Sequence, residues 1–228
     1  MSLELPEYTI QRAKARPALD GRWDGPAWKD VEPLSVGHYH AASSAHRPVV
    51  YAKSVYDDGG LYGIFHVEDR YVLCTHTEFQ TQVYRDACVE FFVKPKPDKG
   101  HMNFEMNCGG SLLLQYIEDP ARKDDGFVKY EWASEPVGRQ VGLFGSLPKR
   151  VEPEITEPCV WHVEYYVPFT ALEAYVGPLG SVAGQTWRAN FNKCAVDNSH
   201  PHWGSWSSIG EKFEFHQPDR FGYIHFAR

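Results

Sequence analysis

The chain has 228 residues, among them seven Trp, 13 Tyr and 13 Phe, and 19 Gly and 16 Pro punctuate it throughout. Aromatic residues favour pleated sheet while Gly and Pro interrupt helices, which argues against a helical bundle and for a many-stranded, loop-rich sheet protein. A formal charge of −7 with no basic run argues against a nucleic-acid partner, and the longest apolar stretches, such as Ser111–Gln115, fall far short of a membrane span.

At the N-terminus, MSLELPEYTIQRAKARP has no apolar h-region, so no signal peptide is expected in this sequence and the compartment stays open. Residues 1–7 read as a tail, and the absence of repeats or linkers points to one domain over residues 1–228. Period-two or buried-strand patterns follow at Val49–Val55, Leu61–Val67, Cys88–Val93, Met102–Cys108, Leu112–Ile117, Val160–Val167, Thr186–Cys194 and Phe221–Phe226. Turn chemistry separates them at Asp57–Gly60, Lys94–Gly100 and Cys108–Gly110, predicting antiparallel hairpins. Residues 119–158, rich in Pro, Gly and charge, carry weaker strand signals such as Gln140–Phe144. A short connector helix is expected after Pro168, with Thr170 and Glu173 at capping-box spacing and Gly177 as its stop. Residues 197–218 have little periodicity and read as a long surface loop. The predicted fold is all-β, an antiparallel β-sandwich of jelly-roll type with one or two short connector helices.

Cys74, Cys88, Cys108, Cys159 and Cys194 lack CxxC or CxxxC spacing, which argues against a zinc knuckle and a full disulfide framework. Their apolar neighbours predict small buried hydrophobes. His38 and His40, and His200 and His202, lack Cys or Asp partners at zinc spacing and read as surface or hydrogen-bonded histidines.

Three patterns carry candidate chemistry. In NSHPHWGSWSS, Trp203 and Trp206 sit among small polar residues, where a Trp face can stack on the C–H face of a sugar ring; the alternative is a ring that plugs the end of the sandwich. In NFEMN, Asn103, Glu105 and Asn107 project from one strand face, suited to sugar hydroxyls, to calcium or simply to water. In WRANFNKC, Arg188, Asn190 and Asn192 share a face, and Lys193 follows; adjacency of this strand to NFEMN would make a polyol-recognising surface. Asp86 and Glu90 flank a strand start and, with Glu105, could supply a hydrolase's carboxylate pair.

Taken in order, LDGRWDGPAW, YDDGGLYGIFHVED, VYRDACVEFFV, NFEMNCGG, VWHVEYYVPF, GQTWRANFNKC, HWGSWS and FGYIHF resemble the family 9-like carbohydrate-binding modules over about Tyr8 to Phe226. The resemblance implies a non-catalytic sugar-binding sandwich, associated with polysaccharide-degrading enzymes, that can hold structural calcium and clamps a terminal sugar between two aromatic rings. One clamp ring falls on Trp206, and the second is Trp203, Tyr84 or Tyr62. The candidate ligand-binding set is Trp206, Trp203, Glu90, Asn107, Arg188, Asn190, Lys193, Glu105, Asn103 and Arg85. Asp86 is the candidate calcium ligand, although Ala87 follows it where many relatives carry a second Asp; no cofactor is required. Three rival readings are a glycoside hydrolase or lyase using a carboxylate pair, a haem-carrying electron-transfer sandwich with His101, Met102 and Met106 as its ligand-like cluster, and a purely structural module that docks another protein.

Overall fold

Aromatic and aliphatic residues at alternating positions build two sheets whose inner faces meet in a shared core. The structure is a computed structural model describing residues 4–228. Its strands are β1 (Glu7–Arg12), β2 (Leu34–Ser35), β3 (His38–Tyr39), β4 (Val49–Tyr56), β5 (Gly60–Asp69), β6 (Val72–Cys74), β7 (Cys88–Lys94), β8 (His101–Asn107), β9 (Leu112–Lys123), β10 (Gly126–Trp132), β11 (Gly142–Gly145), β12 (Val151–Ile155), β13 (Cys159–Pro168), β14 (Thr186–Ala195), β15 (His202–Ser205) and β16 (Gly222–Phe226). Two short helices, α1 (Glu135–Gly138) and α2 (Phe169–Val176), connect them.

The first sheet runs β10-β9-β8-β7-β14-β16-β1, with β15 continuing beside the C-terminal half of β14 and β3 beside β15. The second runs β1-β4-β5-β13-β11. β1 joins the two, because Glu7–Ile10 pair with β16 and Gln11–Arg12 with β4. Both pairings are parallel, so the sandwich is not wholly antiparallel. Period-two alternation turns Phe91, Phe104 and Phe191 inward from the first sheet to meet Phe65, Tyr165 and Trp161 from the second. Phe91 stacks on Tyr165 with ring centroids 5.5 Å apart.

The eight strands anticipated from alternation all form, with ends shifted by two residues at most, except that β9 runs on to Lys123. Of the expected tail, residues 1–3 lie outside the described residues, while Glu7 already opens β1. Helix α2 follows Pro168 and stops at Gly177, whose φ is +71°. The capping box is a correction: Pro168 is the N-cap, Thr170 instead donates to Gln140 and Glu173 accepts from the Leu179 amide.

The 197–218 segment is also a correction. It contains β15 and buries Trp206, Ser207 and Ile209, so it is not a surface loop. The N-terminal LDGRWDGPAW stretch covers the outer face of the second sheet. Trp28 Nε1 and the Gly21 amide both donate to Glu164, at 3.0 and 2.7 Å.

Candidate functional site

The outer face of the first sheet is polar where a sandwich usually meets water, yet it is buried. Register places Asn103, Glu105 and Asn107 of β8 opposite Phe92, Glu90 and Cys88 of β7. Those three in turn face Asn190, Asn192 and Cys194 of β14. β7 therefore lies between the two polar strands, so the expected adjacency is corrected, although both contribute to one face.

Above this face lies a cleft of about 460 Å³. Its floor holds Glu90, Glu105, Gln115, Leu113 and Cys194; one wall comes from β10, with Phe127, Tyr130 and Trp132. Across the sheet, Trp203 stands on β15 opposite Cys194. Tyr84, from the 3-10 turn Val83–Arg85 before β7, packs with Trp203 against the same buried cluster of Val83, Cys88, Leu113 and Cys194. The segment after β15 closes the space with Phe213 and Phe215. Phe213 is 53% exposed and meets Trp203 edge-on at 4.7 Å. Trp132 is 48% exposed. Exposed flat rings around a polar floor form a surface that can stack on one ligand face while hydrogen-bonding its edge.

Hydrogen bonds fix the floor. Glu105 Oε1 accepts from Asn103 Nδ2 at 2.7 Å, and Asn103 Oδ1 accepts from the Gln115 amide. Glu90 accepts from Asn192 Nδ2 at 3.1 Å and from the Cys194 thiol. Glu105 Oε2 is buried without a partner. Burial raises the Glu105 carboxyl to about 7. Burial, with neighbouring Cys194 and Glu105, pushes Glu90 well above the ordinary carboxylate range. A carboxyl that keeps its proton both donates and accepts, as a sugar hydroxyl does. Arg122 pairs with Glu214 at 2.5 Å and lies over the Phe127 ring, tying β9 to the closing segment.

The other expected site residues lie elsewhere. Trp206 is a correction: it is 7% exposed, packs edge-on against Phe191 and fills the space left by Gly222, where a Cβ would come within 2.5 Å of its ring. Asn190 is spent on Ser207, accepting from its amide and donating to its carbonyl. Arg188 donates to the Phe221 and Asp219 carbonyls and lies over Tyr223. Lys193 points inward, is fully buried, and donates to His202 Nε2 at 2.8 Å with Asp69 at 3.5 Å. Arg85 forms a two-pronged pair with Asp197. Asn103 acts beneath the floor by holding Glu105. Tyr62 is buried against Tyr166 on the second sheet, away from the cleft.

Asp86 does not fit a cation. Its Oδ1 accepts from the Thr75 amide, the Thr75 hydroxyl and His76 Nδ1, and its Oδ2 from the His76 amide and Asn107 Nδ2, all at 2.8–3.2 Å. Five donors saturate the carboxylate, and a calcium ion would have to displace them. Asn107 is part of this knot and not of the cleft. The haem-like cluster also dissolves, because Met102 and Met106 face the core while buried His101 shares a hydrogen bond with His216 at 3.0 Å.

Sequence reasoning missed Phe127, Tyr130, Trp132, Arg122, Phe213 and Glu214. A usable signal was present in GFVKYEW, where Val128, Tyr130 and Trp132 alternate with Lys129 and Glu131.

Comparison with known proteins places the fold and the family. A carbohydrate-binding protein candidate from Bacteroides uniformis ATCC 8492 shares 27% identity and a TM-score of 0.83, over 98% of this chain and 100% of that one. A carbohydrate binding module family 9 from Caldicellulosiruptor kristjanssonii in complex with cellotriose matches at 16% identity and a TM-score of 0.62, over 97% of this chain and 94% of that one. Its complex with glucose gives the same identity and TM-score, over 97% of each chain. A search of curated proteins finds no match. The model of carbohydrate-binding family 9 matches residues 28–226, and the chain belongs to that family of non-catalytic carbohydrate-binding modules.

Proposed function

We propose that this module, spanning the whole chain, binds a small saccharide or a glycan end in the cleft on the outer face of the first sheet. Trp203 and Tyr84 supply the stacking faces, and Glu90, Glu105 and Gln115 the hydrogen bonds. The observation that carries this reading is the ring of half-buried and exposed aromatics around a floor where Glu105 Oε2 lacks a partner. A saccharide hydroxyl would satisfy that oxygen, while stacking removes apolar ring surface from water. Arg122, Phe213 and Trp132 shape the entrance. We also propose a polysaccharide-degrading enzyme as the partner beside which such a module works; co-purification of the two is the check.

The test is calorimetric titration with a panel of mono- and oligosaccharides that includes glucose and cellotriose, the ligands of the Caldicellulosiruptor structures. Heat is expected with at least one member and is lost in Trp203→Ala. Absence of heat with the whole panel would contradict the proposal.

A further inference from the structure

The cleft floor carries a second kind of chemistry in two cysteines, Cys88 and Cys194, that saccharide recognition does not use, set beside the Glu90 that it does. Cys88 and Cys194 stand directly opposite each other across the β7–β14 ladder, and Glu90, two residues beyond Cys88, shares their face. One ligand atom from each of the three lies within 4.8 Å of the others. Cys194 Sγ is 3.1 Å from Glu90 Oε1. A tetrahedral zinc centre with its usual bond lengths has sulfurs about 3.8 Å apart and sulfur–oxygen separations of about 3.6 Å. Closing these three side chains on an ion therefore needs small adjustments within an existing ladder, with no strand movement.

A separate observation points the same way. Glu105, directly opposite Glu90, has a buried Oε2 with no partner. Asn192, whose amide nitrogen donates to Glu90, has a buried Oδ1 with no partner. The floor thus holds more acceptors than donors, and buried acceptors left unmade cost free energy unless a proton or a cation fills the deficit. Two sulfurs with one or two carboxylate oxygens suit zinc or cadmium, whereas calcium and magnesium prefer oxygen alone. Glu90, Glu105 and Cys194 line the cleft, so an ion can reach them from solvent.

We propose that Cys88, Cys194 and Glu90 bind one thiophilic divalent cation of the zinc class, with the fourth position left to water from the cleft. The site joins two strands, which is why no CxxC spacing announces it.

The experiment is titration of the reduced, metal-free full chain with Co²⁺, followed by displacement with Zn²⁺. One equivalent is expected, with a sulfur-to-cobalt charge-transfer band that Zn²⁺ discharges. Cys194→Ser should weaken the band and lower affinity at least about a hundredfold. Glu90→Gln, nearly the same shape, should keep the band and lower affinity about tenfold or more; it decides the matter if melting shows that the cysteine variant does not fold. No band in the wild type, a band unchanged in folded Cys194→Ser, or unchanged affinity in Glu90→Gln would overturn the proposal. No saccharide enters the measurement, so its outcome is independent of the saccharide reading.

Discussion

Glu90 and Glu105 stand directly opposite each other on neighbouring strands at the floor of the cleft, both buried and both carrying raised carboxyl pKa values. Two carboxyls in this position resist losing both protons, because burial penalises each charge and each charge opposes the other.

Stability of the metal-free protein should fall as pH rises through this pair. Glu105 has a folded value of about 7 against an ordinary 4.5, so its contribution is complete below the unfolded value and is lost as pH climbs towards 7. The shift corresponds to on the order of 3 kcal/mol. Denaturant unfolding of wild type and Glu105→Gln from pH 5 to pH 8 should show the variant gaining on the wild type as pH rises. Parallel curves would contradict this.

The two loop tryptophans should separate function from folding. Trp203→Ala should weaken saccharide binding tenfold or more, the equivalent of about 1.4 kcal/mol or greater, with little change in melting temperature. Trp206→Ala removes a core ring and should cost about 3–5 kcal/mol of stability. Calorimetry and thermal melting on the same two variants check both statements.

Asp86 should behave as a folding residue. Asp86→Ala leaves five donors without their acceptor and should destabilise the chain by several kcal/mol. Adding calcium to the metal-free protein should leave its melting temperature unchanged. A rise in that temperature with calcium would return a cation to this knot.

Lys193 and Asp69 are both almost fully buried, so removing Lys193 takes away the buried cation facing Asp69 and leaves that carboxylate to His46, the Arg70 amide and Trp161. Lys193→Met should cost about 3–5 kcal/mol while saccharide binding by the folded fraction is retained. A loss below 1 kcal/mol in chemical unfolding would show that the pair is dispensable.

The sheet alternation was legible because the backbone enforces period two: NFEMN and CVEFFV each announce a polar and an apolar face, and the structure uses both as read. Strand order was not legible, since nothing local to WRANFNKC shows that β7 separates it from NFEMN. The tryptophan pair shows the same limit. Trp203 and Trp206 have similar polar neighbours, yet Trp203 falls in register with Cys194 on the outer face. Trp206 follows the strand end and turns into the gap above Gly222, sixteen residues away in sequence. Lys193 entered the candidate set through the family resemblance of WRANFNKC; its burial depends on Asp69 and His202, which only the fold brings near.

The decisive measurement is a crystal structure of the protein with whichever saccharide gives the largest calorimetric heat. A sugar ring is expected against Trp203 and Tyr84, with hydroxyls within hydrogen-bond distance of Glu90 and Glu105. Saccharide bound on any other face, with the cleft filled by water alone, would contradict it.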